Sequence, residues 1–321
     1  MVSFTITEVL FSSLFFAFFS ALIITPFIIW NSRKAGILGK DKNKGGEKLP
    51  EMGGIAIVAG TSMGILAAIA FGFNLALDVT VLLATLSTVV IMGILGMIDD
   101  LFSLKQTIKA PIPFIASVPL SAVRAGARTI NIPILGGLNF GALYPLAIVP
   151  LGVGGASNAF NMLAGLNGLE AGMGAVISLA ILFAAYMKGS YEAMIISVSL
   201  FSACIAFLFY NRYPAKIFPG DVGTYTIGAT IASAVIVGNL EFFGLVLFAP
   251  YFLEFAIKAR YSFRGQNYGT LKNGKLIAPP RAESLTHYVM KLRPMNEGQV
   301  VLTIMLFEAV IAVVAFSLLI F

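Results

Sequence analysis

The chain has 321 residues, of which 58% are hydrophobic and only 11% charged, with a formal net charge of +6. A soluble domain carries about 25% charged residues, so these proportions exclude one and call for an integral membrane protein. Nucleic acid is excluded as the reason for the basic excess, because the Lys and Arg residues lie in connections between apolar runs. There, anionic head groups and phosphate-bearing substrates are the fitting partners.

Runs of about 20 apolar residues recur, each long enough to cross a bilayer as a helix. The short alternating segments of a β-barrel are missing from the pattern. In chain order, hydropathy predicts about ten spans: 8–31, 53–73, 79–98, 110–127, 142–161, 168–187, 191–210, 222–238, 241–260 and 298–320. The first is too long for a signal-peptide core and has no basic stretch before it, so it reads as a retained span. The expected fold class is therefore all-α and polytopic, with residues 1–321 forming one integral membrane domain. The single cysteine, Cys204, lies in an apolar run and rules out an internal disulfide.

Basic residues divide sharply among the connections. Of the 21 Lys and Arg residues, only Arg124, Arg128 and Lys188 fall on even-numbered connections. The positive-inside rule then places the odd connections in the cytoplasm and both termini outside. The acids and amides follow the lysines. Glu51 is in the first connection, Asp99 and Asp100 open the second, Asn158, Asn161 and Asn167 lie at the third, and Asp221 closes the fourth. Polar groups thus converge on one membrane face.

Four stretches carry chemistry. The first connection, Gly39 to Gly54, is basic and glycine-rich. Most of its lysines fit a positive-inside anchor, whereas Pro50 to Gly54 read as a structured ligand loop. In Met97-Ile98-Asp99-Asp100, adjacent acids point about 100° apart on a helix and can serve different partners. Two like charges at a helix C-terminus also oppose the macrodipole, so they call for a cation; Lys105, Lys109 and a divalent metal are the candidates. In the third stretch, Asn158 and Asn161 share a helix face. Polar glue between helices is the plain alternative for these amides. An amide oxygen also suits Mg²⁺, which takes one or two protein oxygens beside phosphate oxygens. The fourth stretch, Phe218-Pro-Gly-Asp221-Val-Gly, sets one carboxylate between glycines with an aromatic ring three residues earlier. An ordinary Pro-Gly turn with a capping aspartate is its plain reading. The final loop adds Arg264, whose guanidinium suits a diphosphate. His287, the only histidine, carries no assignment.

Together and in order, these stretches resemble the polyprenyl-phosphate N-acetylhexosamine-1-phosphate transferase superfamily, glycosyltransferase family 4. The resemblance is nearest to the dolichyl-phosphate N-acetylglucosaminephosphotransferase branch. It rests on PEMGG, MIDD, NAFNMLAGLNGLEAG, YNRYPAKIFPGDVGT and KNGKL, which cover nearly the whole chain. The bacterial branches tend to carry acids where this chain has Ala164 and Asn167. The muramyl-peptide branch has a histidine-rich last loop that this chain lacks.

The resemblance implies a cytoplasmic active site in a plasma or ER-type membrane, a Mg²⁺ (or Mn²⁺) cofactor and often a homodimer. It implies transfer of N-acetylglucosamine-1-phosphate from UDP-N-acetylglucosamine to a polyprenyl or dolichyl phosphate, with release of UMP. By motif match, Asn161 and Asp221 hold the metal, Asp99 and Asp100 organise the metal and lipid-phosphate side, and Lys109 serves that phosphate. Phe218 stacks on uracil, Asn167 hydrogen-bonds it, and Glu51, Asn158 and Arg264 complete the substrate site. The competing readings are a sibling transferase for another UDP-sugar and, from another class, a transporter. A transporter places its ionisable groups near the bilayer midplane and is built from repeats; here the groups cluster at span ends and no repeat is visible.

Overall fold

A computed structural model describes residues 4–44, 46–133 and 136–320; Gly45 of the glycine-rich first connection lies outside them. The fold is helical. Among the described residues, eight helices are long and apolar enough to cross a membrane: α1 (Ile6–Ala35), α2 (Gly54–Phe71), α3 (Val79–Phe102), α7 (Val149–Leu163, continuing a π-turn from Tyr144), α8 (Leu169–Lys188), α9 (Tyr191–Asn211), α10 (Gly220–Val237) and α14 (Glu297–Ile320). A ninth is bent by 56° between α11 (Glu241–Leu247) and α12 (Ala249–Arg260).

The span expected over 110–127 is not a continuous helix. Pro111, Pro113 and Pro119 each lack a backbone donor. They break the segment into α5 (Ile112–Ile115) and α6 (Val118–Ala122), behind the short α4 (Gln106–Lys109). The chain nevertheless traverses the bundle here. Lys109 pairs with Asp99 in the last turns of α3. Arg124 instead shares a cavity with Asp78, the N-cap at the opposite end of α3. Residues 110–123 therefore run from one end of α3 to the other as a series of short turns. The first and last described residues, Phe4 and Ile320, fall at the Asp78 end. The Phe4 amide donates to Asn74 Oδ1 before α3 begins, and α14 starts at the far end, where Glu297 meets Asn167.

Helix α10 is the centre of the bundle. In its most apolar stretch 89% of residues are buried, against 28% in the peripheral α1. It packs on α2, α3, α7, α8 and α9. Glycines permit this. A Cβ on Gly54 would lie 2.1 Å from the Gly223 nitrogen, and one on Gly96 would lie 2.4 Å from Val222 Cα. Helices α2 and α3 thus press backbone-to-backbone on the first turn of α10, the turn that carries Asp221.

Among the described residues three antiparallel hairpins decorate the connections: β1 (Leu38–Asp41) with β2 (Glu47–Pro50), β3 (Thr129–Ile132) with β4 (Gly136–Asn139), and β5 (Thr270–Lys272) with β6 (Lys275–Ile277). The first and third lie at the end of the bundle where α10 begins.

Candidate active site

The start of α10 is built by its neighbours. Phe218 N–H donates to the Pro50 carbonyl at 2.9 Å, and Gly53 and Gly54 donate back to the carbonyls of Phe218 and Pro219 at 2.8 Å each. This stitches the first connection to the Phe-Pro-Gly-Asp turn. Gly220 has φ +68, a conformation L side chains rarely adopt, and a Cβ there would fall 2.4 Å from Asp100 Oδ2. Pro219 and Gly220 together aim Asp221 into the space between α3 and α7.

Asp100 then caps α10 from across the bundle. Its two oxygens accept the backbone N–H groups of Asp221 at 2.7 Å and Val222 at 3.1 Å. A carboxylate at the C-terminus of α3 is electrostatically misplaced on its own helix, but it faces the positive N-terminal end of α10.

Asp99, its neighbour, points elsewhere, as the helical offset predicts. Asp99 is 3% exposed, so its charge needs partners. It accepts from the Leu104 N–H at 3.1 Å, the Tyr225 hydroxyl at 3.1 Å and the Lys109 ammonium at 2.8 Å. Lys109 also pairs with Asp221 Oδ2. Burial alone would pull the Lys109 ammonium down, but Asp221 and Asp99 outweigh it and hold it above its ordinary value. The other Asp221 oxygen accepts from the Asn161 amide, which also donates to Thr224 Oγ1 at 3.0 Å.

Asn161 belongs to the last turn of α7, and that end is secured from the final loop. Both Lys258 Nζ and Asn267 Nδ2 donate to the Met162 carbonyl, and Asn267 reaches the Ala164 carbonyl as well. Lys258 is held in turn by Glu254 at 3.1 Å. A cation at a helix C-terminus is in its favourable place.

These groups border a cavity of about 270 Å³ lined by Glu51, Asp100, Asn161, Phe218, Asp221 and Thr224. Lys40, Asp41 and Lys42 of the first hairpin, with Gly165, Glu170 and Tyr268, line it too. Burial, and after it the negative charge of Asp221, push Glu51 above the ordinary carboxylate range. Tyr268 is raised to about 12, chiefly by burial, so its phenol is neutral at physiological pH. The Lys42 ammonium lies 4.7 Å from its ring centroid.

Of the residues singled out in the sequence, Glu51, Asp100, Asn161, Phe218 and Asp221 line the cavity, and Asp99 and Lys109 stand directly behind Asp221. The other three are placed elsewhere. Asn158 spends its amide on the carbonyls of Ala110 and Gly154, both at 3.0 Å, and so anchors the chain just after Lys109. Asn167 is buried, its amide between Asp41 Oδ2 at 3.3 Å and Glu297 Oε2 at 3.5 Å, and its backbone N–H on Glu297 Oε1 at 2.7 Å. Arg264 is exposed and does not line the cavity. Lys42, Glu170 and Tyr268 went unassigned. For Lys42 and Tyr268 the signal lay in the first and last connections, where lysines read as anchors and the tyrosine stood among glycines; Glu170 stood near the end of the amide-rich third stretch, in the first turn of α8. His287 is buried and structural. Its Nδ1 accepts the Glu283 N–H at 3.1 Å and its Nε2 lies 2.9 Å from the Tyr268 carbonyl. Burial lowers its pKa, and the neutral ring steadies Tyr268.

The arrangement offers hard oxygen donors and one ammonium at the floor of a polar cavity beside an aromatic ring. Among the described residues no group of three or more His, Cys, Asp or Glu side chains is placed to hold a metal. An all-protein cage is therefore not what these donors form. One carboxylate, one amide and one hydroxyl on a common face do fit a Mg²⁺ ion that keeps waters and substrate phosphates.

Comparison with known proteins agrees with the site. The family model described as glycosyl transferase family 4 matches residues 81–239, which include α3, Lys109, Asn161 and Asp221. A protein of Saccharolobus solfataricus, provisionally named as a UDP-N-acetylglucosamine–dolichyl-phosphate N-acetylglucosaminephosphotransferase, is 40% identical over 93% of both chains. The Dictyostelium discoideum protein of that name is 25% identical over 95% of this chain and 87% of its own. A phospho-N-acetylmuramoyl-pentapeptide-transferase of Halalkalibacterium halodurans is 30% identical over 79% of this chain and 78% of its own. With a relative at this identity along almost its full length, and with the matched segment holding the Asp99–Lys109–Asp221 cluster, the chain belongs to glycosyl transferase family 4.

Proposed function

We propose that this integral membrane protein transfers N-acetylglucosamine-1-phosphate from UDP-N-acetylglucosamine to a polyprenyl phosphate of the dolichyl type. The products are a polyprenyl-diphosphate sugar and UMP. The observation that carries this reading is the polar floor where Asp221, Asn161 and Lys109 meet beside the Phe218 ring. The 40% identity to a relative bearing that activity in its name supports the choice of donor and acceptor.

In the proposed reaction an oxygen of the lipid phosphate attacks the sugar-bearing phosphorus of the nucleotide. The bond from that phosphorus to the bridging oxygen breaks, and UMP leaves with that oxygen. A phosphate monoester has a second pKa of about 6, so the acceptor is largely dianionic and needs no strong base. The burden on the protein is to bring two anions together in line. Asp221 and Asn161 would hold Mg²⁺, which supplies charge neutralisation on the diphosphate. Lys109 faces the acceptor phosphate, with Asp99 and Tyr225 fixing its ammonium. Phe218 stacks on the uracil, and Lys40 and Lys42 of the first hairpin line the same cavity as Asp221, where a diphosphate needs positive charge. The basic connections support a cytoplasmic placement of this face.

The test uses purified protein, several UDP-sugars and a short polyprenyl phosphate, with UMP release as the signal. Release with UDP-N-acetylglucosamine that requires both the lipid phosphate and Mg²⁺, and stops on chelation, is the expected result. Release without the lipid, or only with UDP-N-acetylmuramyl-pentapeptide, overturns the assignment.

A further inference from the structure

Lys109 serves two carboxylates, and the two are not equivalent. Asp99 is buried and keeps Leu104 N–H and the Tyr225 hydroxyl as further donors. Asp221 borders the cavity, is about a quarter exposed at 23%, and among the described residues its side-chain oxygens take the Asn161 amide and the lysine. Asp100 is already engaged, both its oxygens accepting backbone N–H groups of α10, and the lysine pairs with Asp99 and Asp221 instead. If the ammonium left Asp221 it would stay tethered at Asp99, 2.8 Å away.

We propose that Lys109 and the divalent cation compete for the Asp221 carboxylate. Cation binding then converts the lysine from the internal counter-charge of Asp221 into the anchor of the acceptor phosphate. This rests on the reading of Asp221 as a metal ligand. A divalent ion in direct contact with one carboxylate oxygen repels an ammonium hydrogen-bonded to the same carboxylate. The ion has the stronger hold on that carboxylate, so the lysine gives way. An ammonium neutralised by two carboxylates has little attraction left for an incoming phosphate, whereas one held by Asp99 alone has more. The nucleotide sugar with its cation therefore binds first and creates the lipid-phosphate site. By linkage, a polyprenyl phosphate must raise cation affinity by the same factor as the cation raises lipid affinity.

Mn²⁺ titration of the full-length protein in detergent tests this without turnover, free Mn²⁺ being read by electron paramagnetic resonance. The expected result is that Lys109→Gln binds Mn²⁺ at least tenfold more tightly than wild type. Lys109→Arg, which keeps the charge, should stay near wild type. A short polyprenyl phosphate should tighten Mn²⁺ binding to wild type and not to Lys109→Gln. Mn²⁺ binding by Lys109→Gln that is no tighter than wild type overturns the competition. If that variant does not survive extraction, the wild-type arm decides: equal Mn²⁺ affinity with and without the lipid phosphate overturns it. Asp221→Asn separates this inference from the one it rests on. If Asp221→Asn binds Mn²⁺ as wild type does, both the metal site and the competition fall. If it loses Mn²⁺ while Lys109→Gln gains nothing, the competition alone falls.

Discussion

Asp100 and Asp221 are the same residue type within one hydrogen bond of each other, yet their surroundings give them different work. Asp100 spends both oxygens on backbone N–H groups. Asp221 keeps its carboxylate toward the cavity. Substitution by Asn should separate the roles. Asp221→Asn keeps shape and removes a charge, so the protein should extract and melt as wild type does while turnover falls 100-fold or more, ~2.7 kcal/mol in the barrier. Asp100→Asn replaces one acceptor with an NH₂ group facing a backbone N–H. It should cost about 1–2 kcal/mol, the scale of a lost helix cap, and lower the melting temperature. An Asp221→Asn protein with near-normal UMP release would return that residue to a turn. At this scale the sequence showed which residues matter better than what they touch. Helical offset forecast that Asp99 and Asp100 serve different partners. It could not show that Asp100 caps a helix 121 positions away, or that Asn158 and Asn167 spend their amides on Ala110, Asp41 and Glu297, because those partners meet only through packing.

The elements were legible where a single long-range rule governs them. Apolar length predicted α1, α2, α3, the Tyr144–Leu163 span that contains α7, α8, α9, α10 and α14 within a few residues. The misses follow from local chemistry that hydropathy does not weigh. Three prolines in 111–119 break the fourth span. Asn273 and Gly274, at φ +52 and +74, form the left-handed turn that pairs β5 with β6, a hairpin signal present in the sequence and overlooked among the lysines. Small residues at the crossing of α2, α3 and α10 carry a prediction of their own. Gly54→Ala and Gly96→Ala set a methyl against backbone of α10, which cannot swing aside as a side-chain tip can. Overpacking of this kind costs about 1–3 kcal/mol, and the displaced turn is the one bearing Asp221. Both variants should melt earlier and lose turnover together. Gly155→Ala in α7, where nothing lies within 4 Å of the new methyl, should leave both unchanged. A Gly54→Ala enzyme with normal activity would mean that the contact between α2 and α10 does not set the position of Asp221.

For the whole molecule, the question is which way the cavity faces. The structure puts Asp99, Asp100, Lys109, Asn161 and Asp221 at one end of the bundle, with Asp78, Arg124, Phe4 and Ile320 at the other. Residues 110–123 must cross between those ends without a long helix, so the number of crossings, and hence the sidedness of everything after Lys109, depends on that broken segment. The distribution of basic residues predicts a cytoplasmic cavity end. Single-cysteine labelling can check this directly, because the native Cys204 is buried in α9 and can be replaced first. Ser103→Cys and Lys272→Cys, both exposed at the cavity end, should react with an impermeant maleimide only from the cytoplasmic side. Arg128→Cys and Lys188→Cys, exposed at the other end, should react only from outside. If Ser103 and Arg128 labelled from the same side, residues 110–123 would not traverse the membrane. If all four labelled opposite to expectation, the bundle would be inverted and the nucleotide site would face away from the cytoplasm, leaving the proposed donor without access to Asp221.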